Sequence, residues 1–251
     1  MPNAKSREPW IFVSYRRKDA HSEALELTAL LSKRYGPERV FLSDESINPS
    51  YSNSSDPIAL FSEGLTLASG GRNEAAIQKY IEALELRPAS KVADIYFNLA
   101  LARSRIDGAS PDAVIEDFTQ ALRQPRQDDY IYLGSLLDRG EWYQKKGDTD
   151  KAVADYLKVL EDSEQDKGDL RLVSAPRRLG DIFLTRSNYD KAIEYYSIAI
   201  QRMNEGAHPI DPPDGPASYS GRAAAYDKRG HPGVREKADA DRRAAAVVAA
   251  P

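Results

Sequence analysis

Residues 136–156 read LLDRGEWYQKKGDTDKAVADY, and the fold turns on this stretch. Leu136 and Leu137 lead to Gly140, Gly147 interrupts the run, and Ala152 and Tyr156 follow on a second run. The spacing predicts two helices joined by a turn at Gly147, a residue that accepts the left-handed backbone of a helix end. Gly140 has no side chain, so the second helix can approach closely at Ala152. Tyr156 then fills the space between this unit and its neighbour.

The same grammar recurs on both sides. Upstream, Gly64 is followed by Ala76 and Tyr80, and Ala100 by Val114 and Phe118; downstream, Gly180 is followed by Ala192 and Tyr196, and Ala223 by Ala238. The anchors Ala76, Val114, Ala152, Ala192 and Ala238 are separated by 38, 38, 40 and 46 residues. Further turns fall at Gly70-Gly71, Gly108, Ser187-Asn188 and Gly230. One helix pair cannot bury its apolar face alone, so the units must stack. The expected fold is mainly α, a solenoid of antiparallel helix pairs. Units 1–4 occupy 57–204, a Pro-rich linker 205–216, and a degenerate fifth unit or C-terminal cap 217–251. Arg242 stands there where the other units carry an aromatic residue.

The pattern resembles the tetratricopeptide repeat (TPR). Gly64, Gly71, Ala76, Tyr80, Ala83 and Pro88 fall at that family's spacing in the first unit; Gly140, Tyr143, Gly147, Ala152 and Tyr156 do so in the third, and Gly180, Phe183, Ala192, Tyr196 and Ala199 in the fourth. The resemblance implies a curved stack whose first helices line a concave, partner-binding side.

The N-terminus has another period. Ile11-Phe12-Val13-Ser14-Tyr15 reads as a buried strand, Ala24, Leu27, Leu30 and Leu31 recur at helical spacing, and Val40-Phe41-Leu42 reads as a second strand. A strand–helix–strand order implies a parallel pair with a right-handed crossover. Trp10 to Asp19, with Val40 to Pro49, resembles the opening of bacterial Toll/interleukin-receptor (TIR) domains. Ser43 departs from that family's usual acidic residue and Ser50 from its usual glycine. The resemblance ends near Pro49, so residues 1–49 are read as a truncated TIR-like βαβ segment and 50–56 as a linker. The glutamate of the family's NAD-cleaving members lies on a later helix that has no counterpart here.

Composition narrows the chemistry. The formal net charge of −4, from 35 basic and 39 acidic residues, lacks the basic excess of a nucleic-acid protein. With no cysteine there is no disulfide and no thiolate chemistry, which fits a reducing compartment. Residues 1–10 have no apolar core of a signal peptide, and no run is long enough to span a bilayer. The expected location is therefore cytoplasmic. His21, His208 and His231 stand far apart without metal-ligand spacing, Ser14 has no triad partners, and Gly70-Gly71 lacks the lysine of a phosphate loop. Paired acids such as Glu116-Asp117 and Asp239-Asp241 read as solvated helix faces. Neither a cofactor, a metal nor a catalytic residue is expected.

Binding is the remaining role. On the first helices Phe61, Leu65, Phe97, Asn98, Leu101, Asp138, Glu141, Lys145, Arg177, Arg178 and Asp181 are the expected groove residues, with Arg177-Arg178 able to receive an acidic peptide. Leu65 and Phe61 occupy places where a chaperone-tail clamp needs polar residues, so chaperone-tail binding is not expected. The reading is a scaffold or adaptor for another protein or peptide, linked to a bacterial TIR signalling or defence pathway, with neither nucleic acid nor membrane as partner. Two alternatives stand beside it: a TIR-class NAD-cleaving effector, disfavoured because half the domain is missing, and a structural adaptor that self-associates through its N-terminal strands.

Overall fold

Asp56 starts the helical array: its carboxylate accepts from the Ile58 amide at 3.0 Å, and Pro57 occupies the first turn, where its missing N–H costs nothing. In the computed structural model, which describes residues 11–15, 30–31, 33–34, 40–44, 56–126, 128–162, 171–205, 214–230 and 233–248, ten helices follow. They are α1 (Pro57–Ser69), α2 (Asn73–Glu85), α3 (Val92–Ser104), α4 (Pro111–Leu122), α5 (Asp129–Lys146), α6 (Thr149–Asp162), α7 (Arg171–Thr185), α8 (Tyr189–Asn204), α9 (Asp214–Arg229) and α10 (Val234–Val248).

Before them, β1 (Ile11–Tyr15) and β2 (Val40–Asp44) pair in parallel, with Ile11 opposite Val40 and Tyr15 opposite Asp44. Of the helix expected between them, residues 30, 31, 33 and 34 are helical and Leu30 is exposed. The rest of that helix, the linker at 51–55 and most of the Pro-rich linker, at 206–213, lie outside the described residues.

The chain forms two compact units, Met1–Asp117 and Phe118–Pro251. Each has its own core. In the first, Leu60, Phe61, Ala76, Ile77, Tyr80, Ile95 and Leu99 cluster; in the second, Leu136, Ala152, Tyr156, Leu179, Ala192, Tyr196 and Ala225 do.

The small residues act as the sequence implies, with a shift of target. A Cβ added at Gly140 would lie 2.5 Å from Tyr156 Cε1, and one at Gly180 2.7 Å from Tyr196 Cδ1. Gly64 meets Tyr80 in the same way. Each tyrosine thus sits on the glycine of its own hairpin. Tyr196 also touches Gly221 of the next hairpin, so it is held from both sides. Gly221 carries no periodic signal of its own, and the sequence reading passes over it in favour of Ala223.

The turns repeat one hydrogen-bond pattern. The amides of Arg72, Asp148 and Asn188 donate to the carbonyls of Leu67, Tyr143 and Phe183 at 2.8–2.9 Å, closing each first helix with a left-handed residue. Gly147 takes φ +92 there, whereas at the same place Ser187 takes φ 58 and bears a strain that a glycine avoids. Ser187→Gly is expected to stabilise the protein by up to about 1 kcal/mol, the relief being offset in part by greater unfolded-chain entropy. A urea midpoint that falls rather than rises would refute this.

Candidate partner-binding groove

Position relative to the small residue decides which first-helix side chains are free. Residues three apart share a helix face. Phe61, three before Gly64, therefore turns inward with it, and its ring lies 5.9 Å from that of Tyr80. Phe97, three before Ala100, is likewise buried at 5% exposure. Both were expected on the groove, and both are core instead.

A neighbouring stripe stays accessible. In the first unit Leu65 is 38% exposed, and Asn98 and Leu101 are half-buried. The Asn98 amide donates to the Asp94 carbonyl at 2.8 Å. In the second unit the equivalent first-helix positions are Asp138 and Glu141 on α5 and Arg178 and Asp181 on α7, all half-buried, with exposed Lys145 one turn beyond Glu141. Lys145 Nζ lies 4.1 Å from the Trp142 ring centroid.

The two arginines are already engaged. Arg178 pairs with Glu141, tying α7 to α5. Arg177, three before Gly180 and so turned inward, pairs with Asp181 at 2.6 Å and with Asp214 at the start of α9. Asp214 in turn accepts from Ser174 Oγ, and Asp181 accepts from the Tyr196 hydroxyl at 2.6 Å. An incoming acidic peptide would have to displace three internal carboxylates, so the expected role of Arg177-Arg178 as its receptor is corrected. Spacing alone showed the positive charges; it could not show partners on other helices.

Against this geometry the comparisons are decisive for the repeats. A TPR repeat model matches residues 64–106, and a tetratricopeptide repeat model matches residues 137–209. These hairpins are tetratricopeptide repeats. Neither match reaches the strands before residue 64. No curated protein matches the chain. Among solved structures, BtubC from P. vanneervenii is similar at 18% identity and TM-score 0.62, covering 92% of this chain and 88% of its own. MamA is similar at 17% identity and TM-score 0.59, covering 76% of this chain and 91% of its own. At such identities the likeness shows the fold alone.

Two devices within the hairpins carry no signal in the repeat spacing. In the first, third and fifth hairpins the residue before the small one faces, with opposite charge, a residue on the second helix: Glu63 with Lys79, Arg139 with Asp155 and Arg222 with Asp241. In the third, Arg139 Nε and Nη2 grip both Asp155 oxygens at 2.8 and 2.7 Å, while Nη1 reaches Thr119 Oγ1 on the preceding helix at 3.1 Å. In the fifth, Arg222 grips Asp241 at 2.8 and 2.7 Å and reaches Ser197 Oγ at 3.0 Å. The first hairpin reverses the charges, with Lys79 facing Glu63 at 3.5 Å. Each such fork joins its own hairpin, and in the third and fifth also binds the one before. The second device is a lysine ahead of the small anchor that covers an aromatic ring: Lys151 over Tyr143 at 5.3 Å, Lys191 over Phe183 at 5.0 Å and Lys237 over Tyr226 at 6.0 Å.

The acids read as solvated divide accordingly. Glu116 and Asp239 are exposed, but Asp117 and Asp241 are buried at 7% and 6% exposure. Asp117 pairs with Arg103 Nη1 at 2.7 Å. Burial pushes its carboxyl up to about 7, against the pull of Arg103. The folded state therefore holds this proton more tightly than the unfolded chain does. The resulting stability is complete below the ordinary value of 3.8 and is lost as pH rises through about 7. Asp117→Asn is expected to flatten the melting temperature across that window, and an unchanged slope would refute it.

Among the described residues no cluster of three or more His, Cys, Asp or Glu is placed to hold a metal, and no helix is long and apolar enough to cross a membrane.

Proposed function

We propose that the chain is an interaction scaffold whose first-helix stripe holds another protein or a peptide, without catalysis of its own, in a reducing, cytoplasmic setting. The observation that carries this reading is the stripe itself. Leu65, Asn98, Leu101, Asp138, Glu141, Lys145, Arg178 and Asp181 stand outside the hairpin cores, while the residues one helical face away are consumed by packing. Such a face offers both apolar and charged contacts to a partner.

The test compares two multiple variants in partner capture and thermal melting. Leu65→Asp with Lys145→Ala alters the stripe; Glu74→Ala with Glu194→Ala alters exposed second-helix positions. Capture lost only in the stripe variant, with both melting temperatures near the parent's, supports the groove. Equal capture by both variants refutes it.

The parallel strand pair favours a second reading, self-association, because a two-stranded sheet leaves an outer edge on each strand for another copy. Phe12→Pro would remove a main-chain donor from β1 and impair its pairing as a strand; an oligomer that persists unchanged speaks against this route. A link to a TIR pathway rests on the N-terminal resemblance, and an NAD-consumption assay on the whole chain tests it.

A further inference from the structure

The second hairpin keeps the acid of the fork and has lost its arginine. Asp117 holds the place that Asp155 and Asp241 hold in the third and fifth hairpins, and like them it is buried. Leu99, however, stands where Arg139 and Arg222 stand, directly before the small residue. Its aliphatic side chain can offer a carboxylate neither charge nor hydrogen bond. The arginine comes instead from one turn further along α3. Arg103 Nη1 lies 2.7 Å from Asp117 Oδ2, and the same nitrogen reaches the Ala113 carbonyl at 3.5 Å. In the third and fifth hairpins two guanidinium nitrogens take the two carboxylate oxygens. Here one nitrogen is shared between a carboxylate and a carbonyl.

A buried carboxylate is tolerated when a well-placed cation and hydrogen bonds replace its water. The groups that act on Asp117 are Arg103 and Tyr96 on α3 and Glu116 on its own helix. Glu116 is exposed and disfavours a second negative charge beside it. Tyr96 is half-buried; burial, with Asp117 and Glu116, holds its hydroxyl above the ordinary range, so it stays neutral and brings no compensating charge. Burial outweighs Arg103 and holds the Asp117 carboxyl up at about 7. When the hairpin opens, water reaches the carboxyl and its ordinary value of 3.8 returns. Between those two values the closed hairpin keeps a proton that the opened hairpin releases, so closure weakens as pH rises and the loss is complete above the upper value.

We propose that the second hairpin is a proton-operated joint: uptake of one proton at Asp117 closes α3 on α4, and its release loosens this hairpin while the fifth, gripped by its fork, stays closed. The position of Arg103 makes the difference. A fork would neutralise both oxygens and leave the proton no advantage, whereas the shared nitrogen leaves one to be gained. Asn98 and Leu101 stand on α3 and would be steadied with it on acidification, whether or not they touch a partner.

Amide hydrogen exchange of the full chain, followed by mass spectrometry from about pH 5 to about pH 8 and expressed as protection factors, reads the opening of each hairpin. Over residues 92–122 protection should fall about tenfold per pH unit up to about pH 7 and level off above it. Over residues 214–248 it should stay constant. Asp117→Asn should remove the fall over 92–122. Arg103→Met takes away the counter-charge, so the carboxyl keeps its proton to a still higher pH and the fall should continue beyond pH 7. Arg103→Lys, which retains the charge, should leave the plateau near pH 7. A parent without the fall, a fall that survives Asp117→Asn, or a plateau that Arg103→Met does not move overturns the proposal. Equal falls in both hairpins also overturn it, because the proton would then govern the whole fold rather than a joint.

Discussion

Tyr196→Ala is expected to lower the stability of the chain by about 3–5 kcal/mol, the range for removing a large buried aromatic side chain. The ring is fully buried and touches Gly180 on one side and Gly221 on the other. The two glycines in contact with the ring have no side chains of their own to fill the void it would leave. The substitution also removes the donor to Asp181 and so loosens the Arg177–Asp214 pair that fastens α9 to α7. Denaturation followed by circular dichroism should show the loss as a shifted urea midpoint. A cost below about 1 kcal/mol would mean that the two hairpins do not depend on this ring.

Arg139→Met should cost about 3–5 kcal/mol, because it strands Asp155 as a buried charge without its partner. Burial already holds the Asp155 carboxyl above its ordinary range, against the pull of Arg139. In the variant that carboxyl is expected to take up a proton at a still higher pH. Pairing Arg139→Met with Asp155→Leu should recover most of the loss, since well-packed apolar residues replace a buried pair at little cost. Thr119 would keep losing its contact from the Arg139 guanidinium, so a small residual deficit is expected. Urea midpoints of the four proteins in this double-mutant cycle measure the coupling directly. If the double variant were as weak as the single, the pair itself, rather than the stranded charge, would be the stabilising element.

The forks at Arg139 and Arg222 bear on function through rigidity. Each holds a first helix to its own second helix and to the preceding hairpin with three hydrogen bonds. A binding stripe gains affinity when its helices are held in place before the partner arrives, because less ordering is left to do. The second unit, with two such forks and the Arg177 network, is tied mainly by charge. The first unit is closed mainly by apolar packing around Tyr80, with the Lys79 and Arg103 pairs on its sides.

The sequence alone determined the hairpins. Glycine or alanine at Gly64, Ala100, Gly140 and Gly180, with an aromatic sixteen or eighteen residues on, reports a close helix crossing, because few other residue pairs satisfy that contact. Turn glycines such as Gly147 announced the helix ends for an equally local reason. What sits across from what was decided only by the tertiary structure. Phe61 and Arg177 look exposed in a linear reading, yet they share a face with the small residues and turn inward. Asp117 and Asp241 look like solvated charges until Arg103 and Arg222 arrive from another helix. Periodicity fixes the face on which a side chain stands, but burial and charge pairing depend on distances between segments tens of residues apart, which a one-dimensional pattern does not contain.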